Sequence, residues 1–225
     1  MRETVILSCG VGSWYPNGVV RLQNTLSKYQ DFDFHGWKGA FPPGSPTHNE
    51  VPYAFKAYGL KWAREQGYKR ALWLDSSVYV HSDPSPVLKI IENGGYFLLL
   101  NGWNQAAWST DAQLEYYGYT RDEAEKMQHP VGGLIGINFE HEKGKALFDM
   151  FIKAAEDKMF VGPWWNKNHE VSTDQRVLGS RHDQTCLGFI TQKLELPLLS
   201  GNYIDYTAKE DAIFYVRPVP PKTVC

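Results

Sequence analysis

The sequence predicts an α/β domain with a mostly parallel central sheet flanked by helices. Short apolar runs that stop at glycine or a polar residue alternate with amphipathic stretches of helical period through the first half of the chain. Such alternation favours parallel strands joined by crossover helices, with the sheet covered on both faces. At 225 residues, 43% hydrophobic and 21% charged, the chain can bury one such core without a metal or disulfide staple.

The first strand is expected at Val5-Ile6-Leu7-Ser8. Tyr15-Pro16-Asn17-Gly18 signals a turn, after which Val19, Leu22 and Leu26 fall at helical spacing. Phe32 and Phe34 alternate with aspartates and suggest a second strand. Residues 36–49 hold three prolines and three glycines and read as a loop. Residues 50–66 form an amphipathic helix: Val51, Ala54, Phe55, Tyr58 and Trp62 share one face, and Lys56, Lys61, Arg64 and Glu65 lie elsewhere. Gly67 ends it, and residues 70–75 make the next strand.

A short helix over 87–92 closes at Asn93-Gly94-Gly95, followed by a buried strand over 96–100. Thr120 and Glu123 have the spacing of a capping box. Residues 132–139 read as a strand with a glycine-rich entry, and 143–158 as a helix turning Leu147, Met150, Phe151 and Ala154 inward. A helix over 183–194 and a late strand over 213–216 complete the pattern.

A net charge of −2 argues against a general polyanion binder, so nucleic acid is not the expected partner. Cys9, Cys186 and Cys225 offer neither a disulfide framework nor a CxxC metal site, which fits a reducing compartment. The first apolar run is too short for a signal peptide and no stretch is long enough to span a bilayer, so a cytoplasmic chain is expected. Eight Trp and 13 Tyr supply packing, or platforms for sugar rings and bases.

Ligands of open α/β sheets lie beyond the carboxyl ends of the strands, where Gly10, Asp75 and Asn101 should meet. Gly10-Val11-Gly12 follows a strand but lacks the third glycine of a dinucleotide fingerprint, because position 15 is tyrosine. It reads equally as a simple turn or as a loop admitting a nucleotide to the backbone. Asp75, leaving a strand ahead of Ser76 and Ser77, suits a hard divalent cation beside phosphate oxygens, or else caps the next turn. Asn101, Trp103 and Asn104 combine amides with an indole face, as a sugar site does. The loop over 162–170 offers Lys167 and His169 to a departing diphosphate, or leaves them in solvent. Asp183 either caps its helix or serves as a general base.

The stretch LWLDSSVYVHSDPSPVL (residues 72–88) resembles the region around the DxD motif of GT-A-fold glycosyltransferases. There an apolar strand delivers one aspartate, a second lies two residues on, and a proline-containing turn and helix follow. The preceding helix with Tyr53, Lys56, Tyr58 and Arg64, the GGLIGIN strand (132–138), and Arg181-His182-Asp183-Gln184, similar to the family's DQ segment, occur in the family's order over roughly residues 1–200. One position departs: Ser77 stands where the family has its second aspartate.

The resemblance implies a GT-A-like single domain over 1–225, with a nucleotide-binding half to about residue 100 and an acceptor-binding half with a C-terminal extension beyond it. It implies transfer of a sugar from a nucleotide-diphosphate donor to a carbohydrate or other hydroxyl acceptor. Cys9, Gly10, Lys56, Asp75, Ser76 and Ser77 would hold the donor, and Asn101, Trp103, Asn104, Gly132 and Gly133 the substrate. A divalent cation, manganese or magnesium, would sit on Asp75, Ser77 and His182, and Asp183 would act as base with His182 orienting it. A catalytically inactive or carbohydrate-binding protein on the same fold is the alternative that Ser77 raises. A nucleotidyltransferase fits less well, because no Lys or Arg lies between Glu3 and Val20.

Overall fold

Val5, Ile6 and Leu7 are wholly buried, and successive residues of this first strand serve opposite faces of one sheet. The computed structural model describes residues 2–207 and 212–217. In chain order its elements are β1 (Thr4–Gly10), α1 (Tyr15–Leu26), β2 (Asp33–Lys38), α2 (Ala54–Glu65), β3 (Arg70–Leu74), β4 (Val78–Val80), α3 (Ser85–Gly94), β5 (Tyr96–Phe97) and β6 (Leu100–Asn104). They continue with α4 (Asp111–Tyr117), α5 (Arg121–Glu125), β7 (Gln128–Pro130), β8 (Leu134–Asn138), α6 (Glu142–Glu156), α7 (Asp183–Lys193), β9 (Ile204–Asp205) and β10 (Phe214–Val216).

The main sheet has the order β2-β1-β3-β8-β5. β1 is parallel to β2 and β3, whereas β8 runs antiparallel to both β3 and β5. The sheet is therefore mostly parallel, as the sequence predicts, with β8 as the reversed member. That reversal pairs Leu74 with Leu134 and brings the start of β8 to the exit of β3. Two small sheets, β4-β10-β9 and β6-β7, flank this end.

One face of the sheet presents Val5, Leu7, Ala71, Trp73 and Ile135 to Leu60 of α2, Phe151 of α6 and Ile190 of α7. The other presents Ile6, Leu72, Leu74 and Leu134 to Leu22 and Leu26 of α1 and Val87 and Ile91 of α3. Burial at about 25 cal/mol per Å² of apolar area drives this two-sided packing. The capping box at Thr120 forms, with the side chain of Glu123 returning to the Thr120 amide. Thr110 and Gln113 make a second box that the sequence reading overlooks.

Several boundaries differ from expectation. α2 begins at Ala54 rather than 50, because Tyr53 holds a left-handed φ of 61° that cannot continue a helix. β2 extends through Lys38, since Trp37 and Lys38 pair with Cys9 and Gly10, so 36–38 are strand and not loop. The run over 96–100 is not one strand: β5 ends at Phe97, and Leu100 turns away to pair with Pro130. Asn101, Trp103 and Asn104 consequently lie on β6. Cys9 and Cys186 are free and buried, whereas Cys225 lies outside the described residues. Among the described residues no helix is long and apolar enough to cross a membrane.

A Cβ added to Gly10 would run into the backbone carbonyl of Tyr15, where the chain folds back into α1. Gly10→Ala is expected to lower unfolding stability by about 1–3 kcal/mol, read from the urea midpoint, through this clash alone.

Candidate active site at the exit of the third strand

Asp75 is the first residue beyond β3, and the backbone fixes it from both sides. Its amide donates to the Gly133 carbonyl at 2.9 Å, and its own carbonyl accepts from Val78 at 2.8 Å. The buried Trp73 indole donates to Asp75 Oδ1 at 2.8 Å. The carboxylate is thus aimed by the core beneath it while 29% of the side chain reaches solvent. Gly133 faces it closely enough that a Cβ there would sit 3.5 Å from Oδ2.

Behind Asp75 lies Lys56, only 3% exposed. Its ammonium is 3.2 Å from Asp75 Oδ1, 3.3 Å from Oδ2 and 3.0 Å from Asp183 Oδ2, and it donates to the Gly132 carbonyl at 2.8 Å. Tyr53 lies under it, ring centre 5.0 Å away. Burial opposes its charge, but Asp183 and Asp75 together more than offset that and raise its pKa. The helical pattern places Lys56 off the apolar face; its side chain instead runs inward, because two carboxylates await the ammonium there.

Asp183 opens α7 and is 3% exposed. It is not a cap: His182 occupies that place, and no side chain caps the helix. Burial pushes its carboxyl up to about 6, against the pull of Lys56 and with help from the nearby Asp75 charge. Oδ2 meets the Lys56 ammonium as a buried ion pair at 3.0 Å.

The structure corrects the roles expected of His182. Its Nε2 lies 2.6 Å from the Gly162 carbonyl, which commits that nitrogen to the loop, and Nδ1 is buried without a hydrogen-bond partner. Burial lowers its pKa to about 4; the ring is neutral and Nε2 donates. His182 is a fixed anchor for the loop that follows α6, held at φ 53° and ψ −112°.

Arg181, 6% exposed, carries its guanidinium 3.8 Å from the Trp108 ring centre, 4.2 Å from Trp164, and 5.2 Å from both Trp103 and Trp165. Trp103, Trp164 and Trp165 remain substantially exposed, forming an aromatic surface two residues from Asp183. The expected amides are engaged otherwise. Asn101 bonds to His129 Nδ1 at 3.2 Å and to the Trp103 amide at 2.8 Å, and Asn104 accepts from Ala107 at 2.9 Å. Both hold the β6 turn. The sequence reading missed His129, which also meets Gln184 Nε2 at 3.1 Å and so ties β7 to the start of α7. Burial drives its pKa down to about 3. Its position three residues before Gly132 was the only available signal.

The remaining expected donor and substrate residues gather unevenly. Gly132 and Gly133 lie at the cluster through their carbonyls, and a side chain at Gly132 would press on Gln184. Cys9 is a buried thiol, pushed up to about 12 by burial and then by Asp75, and it donates to the Ala40 carbonyl. Ser76 is buried, and the Ser77 carbonyl accepts from Arg21 at 2.8 Å and from the Arg217 amide at 3.0 Å. Mg²⁺ and Mn²⁺ require several converging oxygen donors. Here Asp75 is taken by Trp73 and Lys56, His182 by Gly162, and no group of three His, Cys, Asp or Glu among the described residues could hold a metal. The residues present do not fit that ion. Concave spaces of about 360 Å³ at the C-terminal end of α7 and about 460 Å³ at the opposite end of the sheet do not touch Asp75, Lys56 or Asp183.

No family model matches the sequence, and no curated protein matches it. Solved structures do. A glycosyltransferase involved in the glycosylation of the major capsid of PBCV-1 is 14% identical with a TM-score of 0.56, covering 97% of this chain and 96% of that one. Mouse xyloside xylosyltransferase 1, in its apo form, is 10% identical with a TM-score of 0.53, covering 96% of this chain and 99% of that one. The fold is GT-A-like. In this GT-A-like frame the Lys56 cluster occupies the strand exit that the DxD resemblance singles out.

A carboxyl whose folded pKa is raised supports the fold below its unfolded pKa and loses that support as pH rises through the folded value. For Asp183 the window runs from about 4 to just above 6. Relative to Asp183→Asn, the unmodified protein is expected to lose unfolding stability between pH 4 and pH 7, read from urea midpoints across that range.

Proposed function

We propose that this chain is a glycosyltransferase that moves a sugar from a nucleotide-diphosphate donor to a hydroxyl acceptor. The observation that carries this reading is the Asp75–Lys56–Asp183 cluster, set at the carboxyl end of β3 in a GT-A-like fold. Of the three charged groups Asp75 alone reaches solvent appreciably, and it faces the donor beside Ser76 and Ser77. Asp183, buried against Lys56 with its carboxyl pushed up to about 6, is the group this reading assigns as base for the acceptor hydroxyl. Lys56 fixes the spacing of the two carboxylates, 3.2 Å from Asp75 and 3.0 Å from Asp183. The exposed indoles of Trp103 and Trp164 offer stacking surface to the acceptor ring.

A second reading, an inactive carbohydrate-binding protein on the same fold, is favoured by Ser77 and by that indole surface. One assay separates the two. Incubation with a panel of UDP- and GDP-sugars and simple saccharides is expected to release nucleoside diphosphate. Asp75→Ala is expected to lower that rate by about 100-fold or more, with its circular dichroism unchanged. The rate should climb with pH through about 6, and Asp183→Asn should abolish that limb. Saccharide binding with no turnover of any donor would select the second reading.

A further inference from the structure

The turn after Asp75 is cationic where the DxD pattern is acidic. Ser77 stands two residues past Asp75, and Arg21 reaches over from α1 to it, with Nη2 2.8 Å from the Ser77 carbonyl and 2.9 Å from that of Arg217. The guanidinium lies 5.0 Å above the Tyr79 ring, and its Nε is buried without a hydrogen-bond partner. Among the described residues no carboxylate is ion-paired with Arg21, unlike Arg64, Arg70, Arg121 and Arg176. Arg217 closes the same turn through its amide, 3.0 Å from the Ser77 carbonyl. On the other side of Asp75 the position between the two carboxylates is filled by the Lys56 ammonium.

Asp75 and Asp183 are already met by Lys56, whereas Arg21 is held by backbone carbonyls and keeps its charge for an anion. An aspartate at position 77 would set a further negative charge beside an approaching diphosphate, and a bound cation would then have to offset it. Serine adds no such charge, and Arg21, with no carboxylate partner among the described residues, supplies a guanidinium of the kind phosphate oxygens favour.

We propose that this chain takes the diphosphate of its nucleotide ligand on a fixed side-chain cation, Arg21 beside Ser77, and binds it without a divalent metal. The proposal rests on the nucleotide-diphosphate reading above and specifies how that site works. It also gives Ser77 a purpose: the substitution accompanies a built-in replacement for the ion.

Titration calorimetry with UDP and GDP tests it, run in EDTA and again with Mn²⁺. The unmodified protein is expected to bind one of them with the same affinity, within about threefold, in both conditions. Ser77→Asp, on a partly exposed turn, is expected to weaken binding in EDTA by about tenfold and to regain it with Mn²⁺. Arg21→Met is expected to weaken binding by about tenfold in both conditions. A melting curve for each variant shows that it is folded. Binding by the unmodified protein that requires Mn²⁺ overturns the proposal and leaves the glycosyltransferase reading standing. Absence of binding to either nucleotide, with and without Mn²⁺, overturns the nucleotide-diphosphate reading itself.

Discussion

A lysine ammonium withdrawn from water between two carboxylates is the constraint around which this end of the molecule is built. Lys56 comes from α2, Asp75 from the end of β3, Asp183 from the start of α7, and the Gly132 carbonyl from the entry to β8. Four separate segments are therefore fixed to one another by a single charge. Removing Lys56 would leave both carboxylates without their cation, at a cost of about 3–5 kcal/mol. Apolar residues in place of such a cluster are often as stable or more so. Stability alone does not account for it.

The surroundings serve the same end. The Trp73 indole and the Gly133 carbonyl set the Asp75 carboxylate from below and beside it, so its direction is decided by the core. His182 pays for its unusual backbone angles by locking to Gly162, which delivers Asp183 to Lys56 at the first turn of α7. Arg181 gathers four tryptophans around one cation and so joins β6, the 3₁₀ turn at Trp108 and the loop after α6 into one wall. His129 and Gln184 brace that wall from the β7 side. Rigid support of this kind is what a site needs to hold reacting groups in place.

The sequence disclosed the skeleton of this arrangement and concealed its wiring. The apolar run into Asp75 and the glycine-rich entry to β8 were legible because strand period and glycine have direct backbone meaning, and both lie at the site. Asp183 at a helix start was legible as well. Lys56 was legible as a site residue only through the family resemblance; its helical position reads as solvent-facing, and the carboxylates that draw it inward are 19 and more residues away. Asn101 and Asn104 misled for the opposite reason. Their amides suit a sugar, but local turns claim them first. His129 and Arg21 carry no local pattern at all; only folding places one against Gln184 and the other against Ser77.

The central claim is that a nucleotide sugar binds at the exit of β3 and is sensed by the Lys56 cluster. Amide hydrogen exchange on the intact chain, with and without a saturating nucleotide sugar, tests it most directly. The expected result is added protection in peptides spanning residues 54–58, 74–78 and 132–134 and the start of α7, with little change elsewhere. Protection confined to the cavity at the C-terminal end of α7, or no protection with any donor, would contradict the account.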